Sequence, residues 1–307
     1  MSYVKTLSEY WSFNWAKFAP LKSTGIREYD LLASYYKHFL PTIVPFAAVL
    51  AYWFLSDPVC GLIRSTFNGS EIKGKDGKPI KNTYDKVLSF ITILHSAALT
   101  VYSGWTFINT YRIMSAMWVA YKSSGMSAWD AFMEMSCDSK GKLWTDANLG
   151  FWITHFYISK FWEFLDTWII HLKGKTPILL QTYHHAGVVI LMWSFVVTHN
   201  TACGMVVTLL NSGIHTIMYS YFTLTALEIK ALYKFKPLIT SSQLVQFFLG
   251  IGLTIPTYFV QGCNTEARTY STIGIHAYTI ILILLFLDFA NKEYVQKPKA
   301  TKESKSN

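Results

Sequence analysis

The feature that most constrains this chain is a series of apolar runs long enough to cross a hydrocarbon core, three of which, consecutive in sequence, carry clusters of polar and ionisable residues. Crossing takes roughly 20 residues of helix, and runs of that order lie at about 38–56, 86–110, 146–171, 177–198, 202–227, 239–260 and 271–290. A bilayer core offers no water to the backbone, so such runs close their hydrogen bonds internally as helices. The pattern predicts an all-α polytopic membrane protein of about seven transmembrane helices with an intramembrane site. Of the 307 residues, 51% are hydrophobic and only 15% charged, too apolar for an ordinary soluble domain. No internal repeat divides the chain, so 1–307 reads as one membrane-embedded domain. Within it, 1–37 is an arm of lysines and aromatics (Tyr10, Trp11, Phe13, Trp15, Phe18) suited to the interface, with no signal-peptide h-region, and 291–307 is a basic tail.

Charge sets the expected orientation. With the N-terminus luminal, sixteen Lys and Arg fall on the cytoplasmic side and ten on the other. The loops after the third and fifth runs carry Lys173, Lys175, Lys230, Lys234 and Lys236, whereas His199-Asn200-Thr201, after the fourth, carries no lysine. The net charge of +9 therefore describes a cytoplasmic face suited to anionic lipid or an anionic substrate, with no nucleic-acid partner. The sequon Asn68-Gly69-Ser70 falls on that cytoplasmic side and is expected to stay unmodified. Cys60, Cys137, Cys203 and Cys263 form no C-x-x-C pair. Cys137 and Cys263 share the luminal side, where a disulfide and two free thiols are both open to them.

Ionisable groups at bilayer depth usually face a bundle interior and mark a site. In the third run Lys160, Glu163 and Thr167 share one helical stripe, with His171 a turn further and Asp166 at its edge. A lysine and a glutamate at this spacing can pair, which lowers the cost of burying both; a structural ion pair is the plain alternative. The fourth run opens with Gln181, His184 and His185 on one face. Adjacent imidazoles serve as metal ligands, general bases or a nucleophile. The fifth run adds Asn211, His215 and Met218, with Tyr219 and Tyr221, and the sixth adds Thr240, Gln243 and Gln246. The last three serve equally well as interhelical hydrogen-bonding residues. Nine histidines with one adjacent pair and no H-x-x-x-H are too few for a di-iron site. A zinc on His184, His185 and His215 is conceivable, but the expectation is no metal and no cofactor.

These residues resemble the ELO family of fatty-acid elongases, the membrane 3-ketoacyl-CoA synthases. The resemblance rests on K-x-x-E-x-x-D-T (Lys160, Glu163, Asp166, Thr167), a Q-x-x-H-H box (Gln181, His184, His185), N-x-x-x-H-x-x-M-Y (Asn211, His215, Met218, Tyr219) and T-x-x-Q-x-x-Q (Thr240, Gln243, Gln246), in the family's order. It departs at Gln181, where the common box has a histidine; a glutamine there resembles the subgroup acting on polyunsaturated chains. The resemblance implies condensation of acyl-CoA with malonyl-CoA to 3-ketoacyl-CoA, CoA and carbon dioxide in the endoplasmic reticulum membrane. It implies His184 as nucleophile, His185 positioning the thioester, Asn211 and His215 stabilising an enolate, and Glu163, Asp166 and Lys160 orienting imidazoles. Gln181, Met218, Tyr219, Thr240, Gln243, Gln246, Lys173, Lys175 and Lys234 are then the substrate-binding set, with the acyl tail in an apolar tunnel toward the lumen. Expected partners are acyl-CoA and malonyl-CoA, membrane lipid, and the ketoreductase, dehydratase and enoyl reductase of the cycle; a homo-oligomer is compatible. Two other classes share the span count: a metal-dependent lipid-modifying enzyme, and a seven-span lipid carrier or receptor. Bound metal at stoichiometry marks the first, and acyl-CoA binding without malonyl-CoA turnover marks the second.

Overall fold

A computed structural model describes residues 27–67 and 82–296. Most of the interfacial arm, the sequon and the last eleven residues of the basic tail, 297–307, lie outside the described residues. Among the described residues ten α-helices follow one another: α1 (Arg27–Tyr36), α2 (Ile43–Phe67), α3 (Thr83–Ser123), α4 (Ala128–Cys137), α5 (Leu149–Trp162), α6 (Phe164–Leu172), α7 (Leu179–Thr198), α8 (Thr201–Ala226), α9 (Lys236–Thr254) and α10 (Glu266–Ala290). Short 3-10 and π turns link several of them, and among the described residues there is no strand. The all-α class is what apolar runs in a bilayer require.

Among the described residues five helical stretches are long and apolar enough to cross a membrane: Ile43–Phe67, Thr83–Ser123, Thr201–Ala226, Ala231–Phe259 and Glu266–Gln296. The expected third and fourth spans are the two remaining segments, and they carry the polar cluster. The third is not one helix. It breaks between α5 and α6 at Glu163, where no glycine or proline forces a kink and the Asp166 amide bonds back to the Glu163 carbonyl at 3.1 Å, a 3-10-type tightening. A count of seven spans is compatible with this layout. The second span is also longer than its apolar run: a capping box of Asn82 and Asp85 starts α3 at Thr83, and the helix runs on past 110 to Ser123.

The helices close a ring. α3 packs along α8, α8 on α9, α9 on α10, α10 on α7, α7 on α5, and α5 back on α3. α2 leans on α6 and α7 from outside. Exposed apolar residues such as Leu50, Val101, Leu249 and Leu284 lie on the outer helices, where lipid would cover them. By contrast α5 is buried from Leu149 to Lys160, so its polar residues face protein on every side.

The two ends of the ring differ. At one end Cys137, closing α4, is joined to Cys263, before α10, which settles the open pairing in favour of a disulfide. Buried Asp138 beside it accepts hydrogen bonds from the Leu143 and Trp144 amides at 2.9 and 2.7 Å. At the other end lie Lys173, Lys234 and Lys236 and the start of α7. There α6 ends at Gly174, whose φ of 69° suits glycine, and whose missing side chain leaves room for Arg64 of α2.

Candidate active site

The helix break leaves buried Glu163 between α5 and α6 and puts partly buried Asp166 in the first turn of α6. Lys160 is fully buried and donates to Glu163 Oε1 at 2.7 Å and to Asn211 Oδ1 at 3.2 Å, with its ammonium 3.8 Å from the Phe156 ring centroid. A buried lysine needs this kind of company, because removing an ion from water costs several kcal/mol. Since Asn211 Oδ1 accepts from Lys160, its amide N–H groups are left to point elsewhere. His215 Nδ1 lies 3.5 Å from Glu163 Oε1, and His185 Nδ1 lies 3.9 Å from Glu163 Oε2. Three of these buried atoms, Glu163 Oε2, His185 Nδ1 and His215 Nδ1, have no hydrogen-bond partner.

Asp166 is held from both sides. The Tyr219 hydroxyl donates to Oδ2 at 2.6 Å, and His95 Nε2 lies 2.9 Å from Oδ1. His185 Nε2 stands 3.9 Å from the same Oδ2. Thr167 bonds to Tyr52 of α2 at 2.9 Å and receives Gln181 Nε2 at 3.3 Å. His171 turns the other way, to Asp57 at 3.1 Å, so the stripe read from spacing ends at Thr167. His184 meets Tyr278 of α10, with its Nδ1 3.2 Å from the phenolic oxygen, while that hydroxyl donates to the His184 carbonyl at 2.9 Å.

Two cavities meet at His184. The larger, about 360 Å³, reaches the lysine-rich end and is lined by Asp166, Lys173, Gln181, His184, His185, Asn211, His215, Met218, Tyr219, Thr240, Gln243 and Gln246, with Lys236 near its opening. The smaller is narrow, and His184, Asn211, Gln246 and Tyr278 begin an otherwise mostly apolar wall of Val188, Val206, Leu210, Phe247, Gly250 and Leu282. It runs toward the disulfide end, where Thr254 and His276 bond to each other at 2.7 Å.

Most of the residues singled out from sequence therefore converge on one site. Gln243 donates to Met218 Sδ at 3.2 Å and Thr240 bonds to Tyr294 at 2.9 Å, so these are both wall and interhelical link. Lys234 lies on an outer cavity with Lys236, Tyr221 and Tyr233. Lys175 is exposed and lines neither of the two main cavities. Burial and the neighbouring Lys175 charge lower the pKa of Lys173 from the usual lysine value. Lys236, one of the loop lysines read from sequence, lines this cavity, whereas sequence reasoning missed His95 and Tyr278. His95 and Tyr278 sit in long apolar helices without a motif, and only packing brings them to the cluster.

Among the described residues one donor set could hold a cation. Glu163, His184 and His215 offer ligand atoms within 4.8 Å of one another, a different trio from the three histidines conceivable by sequence. The Lys160 ammonium on Glu163 opposes a metal there, since it already occupies one carboxylate oxygen.

Known proteins share this arrangement of sequence. The chain is 31% identical over 230 residues to fatty acid elongase sre1 of Dictyostelium discoideum, covering 74% of this chain and 80% of that one. It is 31% identical over 219 residues to the human very long chain fatty acid elongase 3, covering 70% and 75%. It is 26% identical over 237 residues to fatty acid elongase 2 of Trypanosoma brucei brucei, covering 74% and 85%. The model of the GNS1/SUR4 family, ELO, matches residues 42–302, so the chain belongs to that family.

Proposed function

We propose that this protein is a fatty-acid elongase that condenses malonyl-CoA with a long-chain, polyunsaturated acyl-CoA, giving 3-ketoacyl-CoA, CoA and carbon dioxide. The observation that carries the reading is the place of His184. It stands where the wider cavity, which holds the polar cluster and reaches the lysines, meets a narrow and more uniformly apolar one. An acyl-CoA entering tail-first leaves its CoA among the lysines and its acyl chain in the apolar arm, with the thioester carbonyl at the imidazole.

No cysteine lies in the polar cluster, so an imidazole replaces the thiolate as nucleophile. His184 attacks the thioester carbonyl. An N–C bond forms, the C–S bond breaks, and the imidazole proton leaves with the thiolate as CoA. Malonyl-CoA then loses carbon dioxide, and the Asn211 amide and His215 hold the enolate oxygen, as fixed donors do for developing oxyanions. The enolate carbon attacks the acyl group, the N–C bond breaks, and His184 regains one proton from water. His185 positions the thioester, and Glu163, Asp166 and Lys160 keep the rings oriented. The remaining wall, Gln181, Met218, Tyr219, Thr240, Gln243 and Gln246, surrounds the substrate, with Lys173, Lys175 and Lys234 near the CoA phosphates. The polyunsaturated preference rests on Gln181 in the box.

The site lies in the endoplasmic reticulum membrane in this reading, with the N-terminus luminal and the C-terminus cytoplasmic. The disulfide supports that orientation, because it needs an oxidising compartment and sits at the end opposite the lysines. The ketoreductase, dehydratase and enoyl reductase of the cycle are the proposed successors, and no cofactor takes part.

The test is a radiolabelled malonyl-CoA assay on purified protein without added metal, across saturated and polyunsaturated acyl-CoAs. Wild type forms 3-ketoacyl product and His184→Ala does not. No product from well-folded wild type sinks the elongase reading. The Glu163, His184 and His215 trio keeps a metal-dependent reading in play. Stoichiometric zinc or iron in the purified protein, with activity lost on chelation, would decide for it.

A further inference from the structure

We infer that Tyr278 is a positioning residue that sets the tautomer of His184 and so selects Nε2 as its reactive nitrogen. The inference rests on the reading of His184 as nucleophile. It starts from one hydroxyl with two neighbours. Tyr278 lies 2.9 Å from the His184 carbonyl oxygen and 3.2 Å from the His184 Nδ1. A carbonyl only accepts, so the single phenolic proton goes to it. The phenolic oxygen then has lone pairs left for Nδ1, and the second contact is a hydrogen bond only if Nδ1 carries the proton. The imidazole proton is thereby placed on the nitrogen facing α10, and Nε2 keeps its lone pair.

The local sequence is built around this contact. A Cβ on residue 187 would overlap the Tyr278 ring, so glycine one turn after His184 lets α10 approach α7 this closely. Tyr183, one turn before Gly187 on α7, stacks on the same ring at 5.0 Å between centroids and restrains it further. Tyr278 thus has little freedom, and its hydroxyl is directed at His184. The carboxylates, in contrast, address other rings: Glu163 is nearest His215 and His185, and Asp166 nearest His95 and His185. Among the described contacts, Tyr278 is the group that gives His184 a defined tautomer, the task that a ring's second partner performs in histidine sites generally.

Tyr278→Phe removes one oxygen and leaves the ring stack, so the protein is expected to fold with an unchanged melting temperature. In the malonyl-CoA assay kcat falls about tenfold or more, in the range of losses for such orienting partners, while KM for acyl-CoA stays within about twofold. A second readout does not depend on turnover. Iodoacetamide alkylates imidazole nitrogens bearing a lone pair, and the Nδ1 and Nε2 products are separable after hydrolysis. Wild type gives the Nε2 product at His184, and Tyr278→Phe gives it several-fold more slowly. Wild-type kcat and alkylation rate in the variant would overturn the inference. So would a rise in KM at constant kcat, which assigns the hydroxyl to cavity shape alone. If wild type shows no elongation yet the alkylation rate responds to Tyr278→Phe, the functional reading fails and the tautomer assignment stands.

Discussion

Asp138 at the disulfide end and Glu163 at the lysine-rich end are both buried carboxylates, yet their surroundings are built to different ends. Asp138 accepts from two backbone amides and from the Thr201 hydroxyl at 3.3 Å, so both of its oxygens are occupied by its own chain. Glu163 has Oε1 on Lys160 and 3.5 Å from His215, and leaves Oε2 without a partner, 3.9 Å from His185. Four of the seven buried side-chain atoms without a partner among the described residues belong to Glu163, His185, His215 and Gln246, all at or beside the cavities. An unmet buried polar atom costs roughly 1–3 kcal/mol. One end of the ring closes its polar groups, and the other leaves them open, where the proposed reaction would place a substrate's carbonyl and carboxylate. If so, changes at the two ends separate stability from chemistry.

The largest effect is expected where the open end still depends on a pair. Glu163→Gln leaves the Lys160 ammonium buried without its nearest counter-charge. Breaking a buried pair in this way costs about 3–5 kcal/mol, so thermal stability falls clearly and turnover drops by two orders of magnitude or more. Asp138→Asn is the control from the closed end. It lowers the melting temperature, while kcat and KM of the folded fraction match wild type. Equal loss of kcat in both variants would erase the distinction between the ends.

Reduction of the Cys137–Cys263 disulfide comes next. The bridge spans 126 residues, and cross-links of this kind contribute about 2–4 kcal/mol, chiefly by restricting the unfolded chain. Melting in detergent with and without reductant should show the loss, and initial rates well below the melting range should be unchanged. A slowed initial rate would mean that the closed end shapes the site after all.

Smaller still is the effect of freeing Asp166. His95 lines neither main cavity and reaches the cluster through the Asp166 carboxylate. His95→Ala lets that carboxylate turn toward His185 and lowers kcat about tenfold, about 1.4 kcal/mol of barrier. His95→Gln, whose amide can take the place of Nε2, recovers most of it. Equal rates for all three proteins would show that Tyr219 alone holds Asp166.

How much of this was legible in the sequence differs between the same two regions. The all-α class followed from apolar length, and Lys160, Glu163, His184, His185, Asn211 and His215 announced themselves as polar residues in apolar runs. Their convergence followed from short loops that force antiparallel neighbours. Periodicity could not show the break at Glu163, because an unbroken helix also places Lys160 and Glu163 together. It could not show that His171 leaves the stripe, since Asp57 comes from a helix far away in sequence. His95 and Tyr278 were illegible for the same reason, as each becomes a site residue only when α3 or α10 is packed in place. The Cys137–Cys263 pair was half legible: topology put both on one side, and only the fold brought them together.

The narrow cavity offers the finest test, because it joins the open end to the closed one. Gly250 lines it, and a Cβ added there meets nothing within 4 Å. Gly250→Leu should therefore fit without strain, and exchanging glycine for leucine within α9 costs no helix propensity. What it takes is space. If the acyl chain occupies this arm, the new side chain displaces about two to four methylenes, each worth about 0.8 kcal/mol of burial. The expected result is a chain-length profile shifted down by two to four carbons, with kcat/KM for the shorter acyl-CoA retained and that for the longest reduced. The melting temperature should stay the same or rise slightly. An unchanged profile in a variant that is folded and active would place the acyl chain outside the narrow cavity, and the polar contact of Thr254 with His276 would then be only part of the closed end rather than the floor of a tunnel.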